Sequence, residues 1–132
     1  MHLTLEPFLQ ELIALMKQDH PQQIQKMIHE TQGITWLQTL DREKTFIRVT
    51  TDDIIVGEKK RPRKVDIRIR LSRKILFDLL EGRITLDKAV QSRELEIFGD
   101  PVIILKCYKM WEQILLLSRI SPRFYFLTYR LR

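Results

Sequence analysis

The sequence contains few of the residues from which metal sites and phosphate-binding loops are built. Its 132 residues include one cysteine, three histidines and four glycines. The single Cys107 excludes an internal disulfide and fits a reducing compartment. His2, His20 and His29 provide no second histidine one helical turn away, which a zinc-binding helix requires. We therefore expect no metal and no cofactor.

No combination of nucleophile, base and acid stands out either. The sequence has no G-x-S-x-G motif and no glycine-rich phosphate loop. The pair Asp52-Asp53 is interpreted as a turn, because catalytic carboxylates must face each other across a cleft. Cys107 falls within an apolar helical stretch, which is typical of an inert core thiol. These absences argue against an enzyme.

Long hydrophobic runs and a signal peptide are also missing. The run 114–117 is far too short to span a bilayer. The first residues carry Glu6, Gln10 and Glu11 where a signal peptide would be continuously apolar. A chain of 132 residues suffices for one hydrophobic core. We expect a cytoplasmic protein of one domain.

The formal net charge of +6 is concentrated in two segments. Five basic residues lie within 59–64, and four arginines lie within 119–132, where there is no acidic residue. Without these two segments the chain is mildly acidic. Because local potential steers association, each basic segment is a candidate contact surface.

One stretch in the middle of the chain has the most informative pattern. Apolar and charged residues alternate over 65–71, which predicts a half-buried strand. Two short helices are predicted next, with Ser72 and Thr85 as their N-caps. Alternation returns over 95–98, and a long helix is predicted from Pro101.

This order of strand, helix, helix and strand resembles the sterol carrier protein-2 family of lipid-binding domains. Residues 78–82 (DLLEG) and 88–90 (KAV) resemble the family's two helix motifs, and 94–100 (ELEIFGD) resembles its strand and turn. Upstream, 45–58 resembles the two preceding strands. Many members have glycine at the position of Arg93, so we expect the turn before the last strand to differ here.

The resemblance covers about residues 33–117 and implies an α+β fold, a five-stranded mixed sheet covered by helices with an apolar tunnel. We divide the chain into N-terminal helices over 1–32 that pack on the domain, a lipid-binding core over 33–118, and a basic, aromatic tail over 119–132. The predicted strands are 34–40, 46–49, 54–56, 65–71 and 95–98.

The resemblance also implies the function, which is non-catalytic binding and transfer or presentation of a hydrophobic lipid. Fatty acyl, isoprenoid and sterol-like lipids all fit, and a bound lipid would be the ligand. The residues expected to line the tunnel are Ile69, Leu76, Leu79, Leu80, Ile97, Ile104, Trp111 and Leu115. Taken one by one, the same residues fit an ordinary filled core.

The two basic segments suggest contacts outside the tunnel. Basic and aromatic residues together suit an anionic membrane surface or a partner, either a lipid-using enzyme or a second copy of the chain docked through the tail. The predicted contact residues are Lys59, Lys60, Arg61, Arg63, Lys64, Phe124, Tyr125 and Phe126. The alternative hypothesis is a nucleic-acid-binding or regulatory module that uses 59–64 and 119–132. We favour lipid over nucleic acid because of the resemblance.

Overall fold

The computed structural model describes residues 4–57 and 62–131, which contain helices on one side of a single sheet. The helices are α1 (Leu5–Asp19), α2 (Pro21–Thr31), α3 (Arg73–Leu80), α4 (Leu86–Gln91), α5 (Pro101–Ile120) and α6 (Pro122–Leu131). The strands are β1 (Thr35–Leu40), β2 (Glu43–Val49), β3 (Ile54–Val56), β4 (Ile67–Leu71) and β5 (Leu95–Gly99).

The sheet is mixed and has the strand order β3-β2-β1-β4-β5. Strands β1 and β4 are parallel, and all other neighbours are antiparallel. The predicted five-stranded mixed sheet is therefore confirmed. The turn between β1 and β2 is tighter than the predicted strands 34–40 and 46–49 imply, because Leu40 already pairs with Glu43.

Alternation along the strands separates a buried face from an exposed one. Trp36, Ile47, Val56 and Ile67 lie side by side in one row across four strands, and each is buried. Helices α1, α4 and α5 contact the sheet. The hydrophobic core therefore lies between this face and the helices, whereas charged side chains such as Arg68 project from the other face.

The predicted helix caps are confirmed. Ser72 and Thr85 each accept a hydrogen bond from the backbone N–H three residues later, both at 3.2 Å. Asp100 accepts one from the N–H of Val102 at 2.8 Å, directly before the Pro101 that begins α5. These bonds satisfy N–H groups that a helix start otherwise leaves unpaired.

The turn before β5 keeps a left-handed residue although no glycine is present. Arg93 has φ 62°, a conformation that a side chain disfavours. We expected the arginine to change this turn. Instead, Arg93 itself adopts the conformation for which glycine is favoured.

Residues 122–131 are helical and pack on the domain. Pro122 opens α6, where its missing N–H costs nothing, and α6 contacts α1 and α5. The ring of Phe124 is completely buried and stacks on His20 with a centroid distance of 6.1 Å. The segment that we predicted to be a tail therefore packs mainly against helices α1 and α5 of the same chain.

Two ion pairs orient α6 on α1. Arg123 bonds Asp19 and Arg130 bonds Glu11, each at 2.8 Å. Both arginines are more than half exposed, so the pairs add little stability and mainly fix the position of the helix.

Candidate ligand-binding cavity

An apolar cavity lies between the inner face of the sheet and the helices. Leu40, Ile69, Leu71, Leu95 and Ile97 form its floor on three adjacent strands. Its roof comes from α1, α3, α4 and α5. No charged side chain lines it among the described residues. The arrangement suits an uncharged, hydrophobic ligand.

The cavity is narrow in this structure. The centre of a water-sized sphere can occupy about 40 Å³ within it, which corresponds to a few water molecules. Leu9 and Trp111 separate it from a second apolar void of about 20 Å³ beneath Trp36. A long acyl chain therefore requires the helices or these side chains to move apart. The sequence predicted an open tunnel, and residues 4–57 and 62–131 do not form one in this structure.

The structure brings six of the eight residues predicted to bind lipid to the cavity wall. They are Ile69, Leu76, Leu79, Ile97, Trp111 and Leu115. Leu80 and Ile104 are half-buried and pack against the core, but they do not line the cavity. The structure thus places these six side chains around one cavity, whereas their contact with lipid stays a prediction.

Sequence reasoning missed the contribution of α1. Leu5, Phe8 and Leu9 line the cavity, although we had assigned the N-terminal helices only to packing. The helical spacing of the apolar residues in α1 was a visible signal. The position of α1 over the sheet could not be predicted, because it depends on contacts with β2 and β3, which lie far along the chain.

The few polar groups of the cavity wall belong to Gln38, Cys107, Tyr108 and Trp111. Burial, with a smaller contribution from the charge of Asp66, raises the pKa of Cys107 to about 12. The thiol therefore stays neutral near pH 7 and has little nucleophilic character.

A second, open groove of about 380 Å³ lies outside the cavity, between α4 and α5. Leu86, Tyr108 and Leu115 line both the cavity and this groove, so these three side chains lie between the two spaces. The Tyr108 hydroxyl donates a hydrogen bond to Asp87 of α4. Burial, followed by this bond, raises the pKa of the Tyr108 phenol. The phenol is therefore a neutral donor near pH 7.

The two predicted contact segments differ in what the structure describes of them. Lys59, Lys60 and Arg61 lie outside the described residues. Arg63 and Lys64 are exposed, and Lys64 lies 3.4 Å from the carboxylate of Asp66.

The aromatic residues of α6 divide into a buried and an exposed set. Phe124 is buried, so the prediction that it contacts a membrane or partner is corrected. Tyr125, Phe126 and Tyr129 are 56%, 68% and 62% exposed. Tyr125 packs against both of the others, with centroid distances of 6.2 and 6.5 Å, so the three rings form one exposed patch.

Neither a metal cluster nor a membrane span is seen in the described part of the chain. No three His, Cys, Asp or Glu side chains there converge as metal ligands would. Within residues 4–57 and 62–131, every helix is too short or too polar to traverse a bilayer.

Comparison with known sequences identifies one family and no individual relative. The sequence model of the SCP-2 sterol transfer family matches residues 9–110, more than half of the chain. This match includes all the strands and most of the cavity wall. No curated protein matches the chain.

Solved structures with the same fold include the following three proteins. A protein described as "UbiJ-SCP2 Ubiquinone synthesis protein" has a TM-score of 0.61 at 13% identity, over 92% of this chain and 99% of the other. Sterol carrier protein 2 from Yarrowia lipolytica in its apo form has a TM-score of 0.58 at 19% identity, over 92% and 100%. The sterol carrier protein domain 2 of Helicoverpa armigera has a TM-score of 0.58 at 15% identity, over 83% and 86%. At such identities the likeness demonstrates the fold.

Proposed function

This chain belongs to the SCP-2 sterol transfer family, a family of lipid binding and transfer, and we propose that it binds one hydrophobic lipid non-covalently in the cavity between sheet and helices. The observation that carries the proposal is the wall itself, which is apolar and has no charged side chain among the described residues. Such a wall attracts alkyl or isoprenoid chains and penalises ions.

The free energy of lipid transfer favours entry of an acyl chain into the narrow cavity. A buried methylene contributes about 0.8 kcal/mol, so a 14-carbon chain gains on the order of 10 kcal/mol on leaving water. The lipid enters between α4 and α5, where Leu86, Tyr108 and Leu115 line both the groove and the cavity. Because the same three side chains line both spaces, an outward movement of α4 joins them.

The protein acts as a carrier or presenter of the lipid and performs no reaction of its own. This part of the proposal is supported by Cys107, whose thiol lines the cavity. The thiol is buried and stays neutral near pH 7, so it is a poor nucleophile. One protein of the same fold is described as a ubiquinone synthesis protein. By analogy, we propose that this chain presents its lipid to a lipid-using enzyme.

Loading from a membrane occurs at the exposed rings of α6. Tyr125, Phe126 and Tyr129 form an aromatic patch. The segment 119–132 is basic in sequence, although its Arg123 and Arg130 already pair with Asp19 and Glu11 of α1. Aromatic rings at the headgroup level and cations near anionic lipids are the usual features of an interfacial helix.

Native mass spectrometry tests the function. The purified chain, stripped of lipid by organic extraction, is incubated with a fluorescent fatty acyl probe and sprayed from a volatile buffer at low and high ionic strength. We expect one probe per chain at both ionic strengths, because an apolar cavity binds independently of salt. No uptake at micromolar concentration contradicts the proposal. Binding of an oligonucleotide that weakens steeply with salt supports the nucleic-acid alternative.

A further inference from the structure

Gln38 is a polar residue in an apolar wall. It lies on the inner face of β1 between Thr45 of β2 and Ile69 of β4, and only 3% of it is exposed. Its Oε1 atom has no hydrogen-bond partner within the described residues, and the side chain lines the cavity. A buried carbonyl oxygen without a hydrogen-bond partner destabilises the fold, so a functional reason for Gln38 at this position is sought.

Trp111 contributes a second such group to the same cavity. Its ring lines the wall from α5, and its Nε1 atom is buried with no hydrogen-bond partner in the described parts of the chain. Two residues of the wall thus each carry a buried polar group, an acceptor on the sheet side and a donor on the helix side. Each lacks a partner, and the remaining wall is almost entirely apolar.

We infer that Gln38 and Trp111 form a recognition site for the hydroxyl group of a long-chain lipid. A hydroxyl can donate to the Gln38 oxygen and can accept from the Trp111 N–H, so it supplies what both groups lack. This inference rests on the proposed function, and it narrows the ligand from any hydrophobic lipid to one with an alcohol group.

Other polar ends satisfy the site less well. An ether or ester oxygen can only accept, so it leaves the Gln38 oxygen unpaired. An ionised carboxylate also only accepts, and it would be buried among apolar side chains without a cation. A polar group inside a pocket discriminates strongly against ligands that leave it unpaired. The expected order of affinity is therefore alcohol, then ether, with the ionised acid weakest.

Competition between matched lipids tests the site. A fluorescent fatty acyl probe is bound first, and 1-hexadecanol, its methyl ether and palmitate are compared as competitors. We expect the alcohol to displace the probe at about tenfold lower concentration than the ether. Gln38→Leu and Trp111→Phe should each reduce this preference severalfold. Both remove a polar group and keep most of the side-chain volume, and thermal melts verify that the variants fold.

Two control variants separate the site from general effects. Gln25→Leu makes the same chemical change on the exposed side of α2. Trp36→Phe removes another buried indole N–H without a partner, but Trp36 lines the second void and not the cavity. Neither control should change the preference for alcohol.

Three outcomes would overturn the inference. If alcohol and ether compete equally, the wall does not recognise a hydroxyl. If the preference survives both Gln38→Leu and Trp111→Phe, other residues provide it. If the probe itself never binds the unaltered chain, the proposed function fails and this inference fails with it, which is distinguishable from the first two results.

Discussion

The hydroxyl of Tyr108 donates a hydrogen bond to the carboxylate of Asp87, and this bond links α5 to α4 across the outside of the cavity. Helix α4 has only six residues, and left-handed residues precede and follow it, Gly82 with φ 76° and Arg93 with φ 62°. Of the helices around the cavity, α4 is thus the shortest, and the Tyr108–Asp87 bond restrains it where it covers the wall.

Removal of that bond should make the cavity easier to open. In Tyr108→Phe the ring remains in the wall but no longer holds Asp87, so α4 should move outward more often. Cys107, which lines the cavity and is 1% exposed, reports each opening. We expect its alkylation by iodoacetamide to accelerate severalfold. Tyr125→Phe on exposed α6 is the control, and an equal rate in both variants means that the bond does not restrain the wall.

A bulky residue in the outer groove should slow lipid uptake. Leu116 lines the groove and is 52% exposed, whereas Leu105 of the same helix is 55% exposed and does not line it. Leu116→Trp should lower the uptake rate severalfold in stopped-flow fluorescence, because the larger ring obstructs the path between α4 and α5. Leu105→Trp should leave the rate unchanged. If the two variants behave alike, lipid enters elsewhere.

The buried thiol should make stability depend on alkaline pH. The pKa of Cys107 rises from 9.0 to about 12 on folding, first through burial and then through the charge of Asp66. Above pH 9 the unfolded chain loses this proton while the folded chain keeps it, so stability falls as pH rises toward 12. Between pH 8 and pH 10 the Cys107 thiol should lower the free energy of unfolding by about 1 kcal/mol.

Urea titrations at the two pH values measure this loss. The Cys107→Ala variant should lose about 1 kcal/mol less between pH 8 and pH 10 than the unaltered chain. An equal loss in the two proteins would mean that the thiol is not shielded in the folded state.

Two phenylalanines of α6 should contribute to different properties, Phe124 to stability and Phe126 to membrane binding. Phe124 is 0% exposed and Phe126 is 68% exposed. Phe124→Ala should lower the free energy of unfolding by about 3–5 kcal/mol, because it leaves a void against α1. Phe126→Ala should change it by less than about 0.5 kcal/mol, yet it should weaken co-sedimentation with anionic liposomes. Unchanged co-sedimentation, or an equal change in stability, would contradict this division of α6.

Much of the fold could be predicted because its signals are local. Alternation over 65–71 and the caps Ser72 and Thr85 depend only on neighbouring residues, and the corresponding elements form where expected. The conformation of Arg93 was not expected of an arginine. It belongs to a local helix end, in which the Arg93 N–H donates to the Val90 carbonyl and the Glu94 N–H donates to the Ala89 carbonyl. The helix α6 was missed although Phe124 and Leu127 lie at helical spacing on its buried face. The aromatic residues of its exposed face led us to interpret the segment as a tail.

The candidate site was predictable to a smaller extent. Six cavity residues were expected because the family resemblance implies a tunnel, whereas their periodicity alone fits a filled core equally well. Gln38 did not stand out, because a glutamine in a strand normally faces water, and only the register with Thr45 and Ile69 places it inside. The position of Leu86, Tyr108 and Leu115 between the cavity and the outer groove depends on how α4 packs on α5, and no local pattern encodes that contact.

The central claim, a lipid in this cavity, is tested most directly by protection of Cys107. The chain is alkylated at a fixed reagent concentration with and without one equivalent of hexadecanol, and the modified fraction is measured by intact-protein mass spectrometry. If lipid occupies the cavity, the rate of Cys107 modification should fall at least tenfold in step with the one-to-one adduct. A rate that stays the same while the lipid adduct forms would place the lipid elsewhere and contradict the claim.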